Sequence, residues 1–363
     1  MQIAIDAREL VSRPTGVGRY LSRLIDAWDT LPDARAHRFT LLAHGAISLP
    51  PNTLDMQQVV LPGRGGTGWE QRTLLGALRR LAPDVLFAPG YTAPLLCPAP
   101  VALAVHDVSF AAHPEWFPWR EGVRRRLVTR LAARRAAVVL TLSTFSRDQI
   151  VRHLGIEASR IRVIPLGLGL RADAERPASA TSPGAPLVLF VGSLFNRRHV
   201  DALVRAMPSV LRRVPGARLA IVGDNRTWPR MDPAALADEL GVASHVAVTT
   251  FVDDGRLRAL YAEASAFAFL SEYEGFGLTP LEALAAGVPP VVLDTAVARE
   301  VYGAAATYVA APDAGLVADA LTAMLTEPEH RIRVLEAAPA VLARYRWADA
   351  APATLRAIED AVR

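Results

Sequence analysis

Short apolar runs alternate with longer stretches of helical periodicity along nearly the whole chain. The runs include Gln2–Ile5, Asp84–Phe87, Val101–Val105, Val138–Leu142, Leu187–Val191, Arg218–Val222, Val246–Val248, Ala266–Leu270 and Val291–Leu293. Most are built from Val, Ile, Leu, Phe and Ala without polar alternation, which is how a strand covered on both faces reads. Helices between such strands make a parallel α/β sheet the economical solution.

The pattern breaks between Arg171 and Pro186. That stretch, rich in Pro, Ala and Ser, has no periodicity and reads as an interdomain linker over 171–186. It separates an N-terminal α/β half, residues 1–170, from a second of similar size, 187–346. The 363 residues also fit two domains at about 150 residues each. Open α/β sheets bind ligands beyond the carboxyl ends of their strands. Two halves are expected to turn those ends toward a central cleft, so candidate chemistry is sought just after the strands.

Composition removes several chemistries. All 40 basic Lys+Arg positions are arginine. Without lysine there is no Walker A loop, no pyridoxal-phosphate Schiff base and no lysine-dependent kinase site. The single cysteine, Cys97, excludes disulfides within the chain and cysteine zinc clusters, and fits a reducing compartment. A net charge of +4 is too small to point to nucleic acid. The first residues carry no charged leader followed by a long apolar core, and no apolar stretch reaches the roughly 18 residues of a spanning helix. A cytoplasmic protein is expected.

Four segments can carry chemistry. In Ser271-Glu272-Tyr273-Glu274-Gly275-Phe276-Gly277-Leu278-Thr279-Pro280-Leu281-Glu282, glycines let the backbone approach a ligand and a helix start offers N–H groups. Two carboxylates eight residues apart can frame a polyhydroxylated, anionic ligand, Glu274 from the loop and Glu282 from the first helical turn. Glu282 has a competing local explanation: Thr279 as N-cap, Pro280 at the first helical position and Glu282 closing a capping box. In Val191-Gly192-Ser193-Leu194-Phe195-Asn196-Arg197-Arg198, a strand ends in glycine before a basic pair, either a diphosphate site or a solvated loop pair. The Gly16-Val17-Gly18 stretch after Asp6-Ala7-Arg8 is a weaker phosphate cradle, since a third glycine is absent. His106, beside Asp107 at a strand end, is either structural or functional. A metal site from His106, Asp107 and His113 is incomplete, so none is expected.

These segments together resemble the retaining glycosyltransferases of family GT4. The resemblance rests on Tyr-Glu-Gly-Phe-Gly-Leu-Thr-Pro-Leu-Glu with its Glu-x7-Glu spacing. It is strengthened by Ile-Asp-Ala-Arg with Thr-Gly-x-Gly-Arg-Tyr, as in mannosyltransferase-like members, and by Val-His-Asp. It implies a GT-B fold of two Rossmann-like domains, with the segment 347–363 returning as a helix to the N-terminal, acceptor-side domain. It places Glu274 by the donor sugar, with Gly275, Phe276, Gly277 and Leu278 against sugar and diphosphate, and Glu282 on the nucleotide ribose. Gly16, Gly18, Ser193, Arg197 and Arg198 fall to the diphosphate side, and His106 near the transferred sugar. Where the family holds Arg-Lys, this chain holds Arg197-Arg198, so a forked guanidinium replaces a compact ammonium.

The implied reaction moves a sugar, with mannose favoured, from a nucleotide diphosphate sugar to a saccharide or lipid-linked saccharide with retention. GDP-mannose or another GDP- or UDP-sugar is the donor, with no metal or cofactor. A non-catalytic nucleotide-sugar-binding scaffold remains an alternative. A Rossmann oxidoreductase is less favoured, because neither half has Gly-x-Gly-x-x-Gly with an acidic residue about 20 positions on. Ser143 or Thr144 reads as a helix cap, and Gly65–Gly68 as a mobile acceptor-side loop. After Trp116-Phe117-Pro118-Trp119, residues Val123, Leu127 and Leu131 share one helical face beside an Arg126, Arg130 and Arg134 stripe. That helix is either an ordinary core-packed one or a peripheral contact with the inner membrane surface.

Overall fold

A computed structural model describes residues 1–11, 16–49, 52–169 and 185–363. Contacts divide the chain into one compact unit of Met1–Gly167 with Tyr345–Arg363, and another of Leu168–Arg344. Most of the linker expected at 171–186 lies outside the described residues.

The first unit holds seven parallel strands: β1 (Gln2–Asp6), β2 (Arg38–Ala43), β3 (Met56–Val60), β4 (Val85–Ala88), β5 (Val101–Ala104), β6 (Val138–Thr141) and β7 (Ile161–Val163). Their order is β3-β2-β1-β4-β5-β6-β7. The second unit holds six: β8 (Leu187–Val191), β9 (Arg218–Val222), β10 (Val246–Thr249), β11 (Ala266–Phe269), β12 (Pro290–Leu293) and β13 (Thr307–Val309). These run β10-β9-β8-β11-β12-β13, again all parallel. All nine apolar runs are strands, and the doubly wound α/β expectation holds. The order reverses between β1 and β4 in one sheet and between β8 and β11 in the other, so each unit has a switch point there.

Strand alternation sends Ile3, Ile5, Phe39, Leu41 and Phe87 to one face of the first sheet and Ala4, Leu42, Leu86 and Ala88 to the other. Helices Gly16–Asp29 and Trp347–Asp360 cover the former face. Trp28 is fully buried there and donates its indole N–H to the Ala351 carbonyl at 3.0 Å. That bond satisfies the one polar atom of a large apolar side chain.

One expectation needs correction. The Gly16-Val17-Gly18 segment is not an open phosphate-cradling loop, because both glycines lie within the helix Gly16–Asp29. Pro14 and Thr15, just before it, lie outside the described residues. The helix Trp119–Arg135 does not bury the Val123, Leu127 and Leu131 face. Its packed side is Gly122, Thr129, Ala132 and Ala133, while Val123 and Leu127 are 45% and 56% exposed. Small residues allow close approach to the unit, and helical spacing leaves the branched ones outside. Among the described residues no helix is long and apolar enough to cross a membrane.

Candidate active site

The second unit's switch point brings together two of the segments named above. β8 ends at Val191, and Gly192 follows with φ +144°, a conformation that disfavours any residue with a side chain. The chain then makes a short 3-10 turn over Asn196–Arg198, and His199 takes a left-handed conformation (φ +44°) before helix Val200–Arg213. The turn aims the two arginines differently. Arg197 is buried, stacks on Phe195 with its guanidinium carbon 4.3 Å from the ring centroid, and donates Nε–H to the Tyr273 carbonyl at 3.2 Å. Its own carbonyl accepts the Glu272 N–H at 2.9 Å. Arg197 therefore stitches the loop after β8 to the loop after β11.

Arg198 lies across the end of β8. Its Nε donates to Glu274 Oε1 at 2.8 Å, and its Nη1 to the Ser193 carbonyl at 2.8 Å. The guanidinium sits 5.0 Å from the Phe269 ring centroid and 5.4 Å from that of Phe195. Ser271, directly after the apolar run of β11, donates Oγ–H to Glu274 Oε1 at 2.9 Å. Phe269, Ser271, Glu274, Thr295, Ala298 and Tyr302 line a small recess beside that carboxylate. A cation and a carboxylate from segments 76 residues apart thus meet at the switch point.

The helix after this loop runs Leu278–Ala285, and its N-cap is Gly277 in the left-handed region (φ +82°). The capping box expected from Thr279 and Glu282 does not form. Thr279 is inside the helix, and its Oγ1 is buried without a hydrogen-bond partner among the described residues. Glu282 is buried two residues deeper into the helix than a Thr279 cap would place it. The reason is Gly277: the helix nucleates on its left-handed backbone, two residues before the hydroxyl. A Cβ at Gly277 would overlap the Tyr302 hydroxyl, which donates to the Gly277 carbonyl at 2.7 Å. Gly275, Phe276 and Leu278 bracket this start, with Phe276 buried. The free N–H groups of such a start attract anions.

The first unit has its own polar cluster at the β1–β4 switch point. Arg8 forms ion pairs with both Asp6 and the nearly inaccessible Glu70, and lies over the Trp69 ring at 5.4 Å. Burial opposes the Arg8 charge, yet Asp6 and Glu70 together raise its pKa further above the ordinary arginine range. Glu70 also accepts from Thr92 Oγ1 at 2.5 Å and from Gln71 Nε2 at 2.6 Å. A six-residue π-helix, Trp69–Leu74, supplies Glu70 and Gln71. Trp69 donates its indole N–H to the Leu61 carbonyl at 2.8 Å and Arg124 donates to Thr67 at 2.8 Å, so the glycine loop before Trp69 is held at defined points.

His106 is buried after β5, with its Nε2 2.8 Å from the Pro89 carbonyl. A carbonyl only accepts, so that nitrogen carries the proton and Nδ1 is left as an acceptor. Burial lowers the His106 pKa from the ordinary value of 6.5, against the smaller raising effects of Pro89 and Asp107. The ring lies edge-on between Tyr20 at 5.0 Å and Tyr91 at 5.6 Å. Asp107 spends its oxygens on Ser109 and Tyr91. Ser143 is the N-cap of helix Thr144–Leu154, accepting the Ser146 N–H at 3.0 Å, as its local grammar predicts. Sequence reasoning missed Ser271, Glu70 and Tyr302 as supports. The one available signal was a hydroxyl residue directly after a buried strand and three before Glu274.

Comparison with known proteins gives consistent matches. The family model "Glycosyltransferase Family 4" matches residues 14–171, and "Glycosyl transferases group 1" matches 172–341. A D-inositol 3-phosphate glycosyltransferase of Nocardia farcinica is 34% identical over 59% of this chain, and the match spans half of that protein's length. A GDP-mannose-dependent alpha-(1-6)-phosphatidylinositol monomannoside mannosyltransferase of Mycobacterium tuberculosis is 29% identical over 89% of this chain and 83% of its own. Among solved structures, WaaG, a glycosyltransferase involved in lipopolysaccharide biosynthesis, superposes with a TM-score of 0.76. It is 19% identical over 99% of both chains. Anabaena HepE, solved with UDP and glucose, gives 0.73 at 17% identity, also over 99% of both chains. These two likenesses establish the GT-B fold.

Proposed function

The chain belongs to the glycosyltransferases of family 4 and group 1, and from that premise we propose that it transfers a hexosyl group from a nucleotide diphosphate sugar to a saccharide or lipid-linked saccharide, with retention and without a metal. The observation that carries this reading is the Arg198–Glu274 pair at the β8–β11 switch point. There a cation can take a diphosphate beside a carboxylate that can take sugar hydroxyls. Mannose from GDP-mannose is the favoured donor, supported by the mannosyltransferase among the relatives. Another GDP- or UDP-sugar is the next choice.

In this reading the anomeric C–O bond to the diphosphate breaks and its electrons leave with the phosphate. The acceptor oxygen bonds the anomeric carbon on the same face, and its proton passes to the departing phosphate. Arg198, Ser193 and the helix start at Gly277 and Leu278 hold the diphosphate, and the buried Thr279 hydroxyl gains a partner; Gly16 and Gly18 are assigned to the diphosphate by the family resemblance alone. Arg197 holds the loop, while Gly275 and Phe276 form its sugar-facing wall. Glu274 takes sugar hydroxyls, and Glu282 the ribose. Electrostatic stabilisation of the leaving group is the largest expected term. His106, neutral and with Nδ1 as acceptor, orients a sugar hydroxyl rather than delivering a proton. The first unit takes the acceptor.

The protein is further proposed to work in the cytoplasm against the membrane's inner face. Trp119 (72% exposed), Val123 and Leu127 share the outer side of one helix with Arg120, Arg130 and Arg134. Apolar anchors among arginines suit an anionic lipid surface.

A panel of GDP- and UDP-sugars, read by released nucleoside diphosphate in the presence of EDTA, tests the reaction. Proton NMR of the product reads the anomeric configuration. Turnover with GDP-mannose and an α-linked product are expected. Absence of nucleotide release from every donor, with tight donor binding retained, would favour the scaffold.

A further inference from the structure

Among the described residues, the Glu274 carboxylate is held by one oxygen only. Oε1 accepts from both Ser271 Oγ at 2.9 Å and Arg198 Nε at 2.8 Å, whereas Oε2 accepts from no described residue. Two donors on one oxygen fix the plane of the carboxylate and leave the other oxygen's lone pairs unspent. We infer that Ser271 and Arg198 are positioning residues that clamp Glu274 by Oε1 so that Oε2 alone is offered to the donor sugar. This rests on the proposed reading of Glu274 as the sugar-facing carboxylate.

The donor inventory explains why arginine suits this post. A guanidinium has five N–H groups. Arg198 spends one on Glu274 and one on the Ser193 carbonyl, so three remain for phosphate oxygens. An ammonium has three in all, and the same two contacts would leave it one. The fork is planar and needs a flat bed. Gly192 supplies it, since a Cβ there would stand 2.7 Å from Nη1, and Phe269 and Phe195 flank the guanidinium. Ser271 adds a neutral donor to the same oxygen, its single O–H favouring Glu274 Oε1 at 2.9 Å over the longer alternative, the Tyr273 carbonyl at 3.2 Å. The clamp therefore joins the ends of β8 and β11, and its pieces come from one unit.

The experiment measures kcat and KM for GDP-mannose, with UDP-glucose substituted if the donor panel selects uridine, and calorimetric affinity for GDP or UDP. A hydrogen bond to a charged group predicts that Ser271→Ala lowers kcat roughly tenfold. KM and nucleoside diphosphate affinity should stay within about twofold, because the interaction lost orients the sugar end. Ser271→Thr keeps the hydroxyl and should recover most of the rate. Arg198→Lys should lower kcat by roughly 10- to 100-fold, a larger loss than its effect on nucleoside diphosphate affinity. Gly192→Ala should cost less in the Arg198→Lys background than alone, a coupling that marks the shared bed. If Gly192→Ala fails to fold, the Ser271 pair still decides.

Wild-type kcat in both Ser271→Ala and Arg198→Lys, alongside an inactive Glu274→Ala, would overturn the clamp while leaving the functional reading standing. Equal losses in Ser271→Ala and Ser271→Thr with a lowered melting transition would also overturn it, reducing Ser271 to packing. Full activity in Glu274→Ala would instead remove the functional reading beneath it.

Discussion

Each unit carries an arginine–carboxylate cluster at its switch point, and the two clusters differ in what they leave unspent. At the β1–β4 point, Arg8 faces two carboxylates, Asp6 and Glu70, and both Glu70 oxygens have further protein donors. At the β8–β11 point, Arg198 faces one carboxylate, and both partners keep hydrogen-bonding capacity in reserve. A saturated buried network holds loops in place, and disrupting it is costly. An unsaturated pair at a strand end is poised to receive something. In the proposed reading, the same topological position serves once for architecture and once for chemistry.

Removing each arginine separates these uses. Arg198→Ala should lower turnover about a thousandfold, since a charged contact to the leaving group and the Glu274 clamp go together. Its melting temperature should move little. Arg8→Ala should do the opposite, destabilising the fold by about 3 kcal/mol because two buried carboxylates lose their cation. Denaturant unfolding of both variants checks this. A destabilised Arg198→Ala with a stable Arg8→Ala would reverse the comparison.

Gly277→Ala ranks next. A Cβ in the left-handed region beside the Tyr302 hydroxyl displaces the helix start, and a loss of roughly 1–3 kcal/mol is expected with impaired donor binding. Pairing it with Tyr302→Phe, which keeps the ring but removes the hydroxyl, should recover part of the loss.

The His106 contribution is smaller and depends on pH. Its pKa is lowered in the fold, so the unfolded chain takes the proton more readily. Stability is therefore undiminished above the ordinary histidine value of 6.5 and falls as pH drops below it, by at most about 1.4 kcal/mol per pH unit. His106→Asn should flatten that slope in thermal melts between neutral and mildly acidic pH.

The outer helix face should matter least for soluble acceptors. Leu127→Ser with Trp119→Ser is expected to leave turnover on them unchanged and to reduce sedimentation with anionic liposomes several-fold. Salt-insensitive sedimentation equal to wild type would remove the membrane proposal.

Much of the fold was legible because strands buried on both faces must be apolar throughout, as in Val85–Ala88 or Ala266–Phe269. The unannounced strands β3, β7 and β13 are sheet edges. Met56–Val60 faces solvent on most of its residues, so burial imposes no such pattern. β2 is interior, and its polar start at Arg38 and the central Thr40 mask it. At the site, Glu274, Gly277 and Arg198 stood out by local grammar. The contact between Glu274 and Arg198 did not, because it joins segments brought together only by the β8–β11 pairing. Thr279 misled for a related reason: cap rules assume a helix starts where a hydroxyl allows, while Gly277 starts it earlier.

The central claim is that the second unit's switch point performs sugar transfer through Glu274. Nucleoside diphosphate released from GDP-mannose or UDP-sugars, by the wild type and by Glu274→Ala at matched thermal stability, tests it most directly. The account predicts steady release by the wild type and at least a roughly thousandfold loss in the variant. Release by Glu274→Ala at the wild-type rate would contradict it.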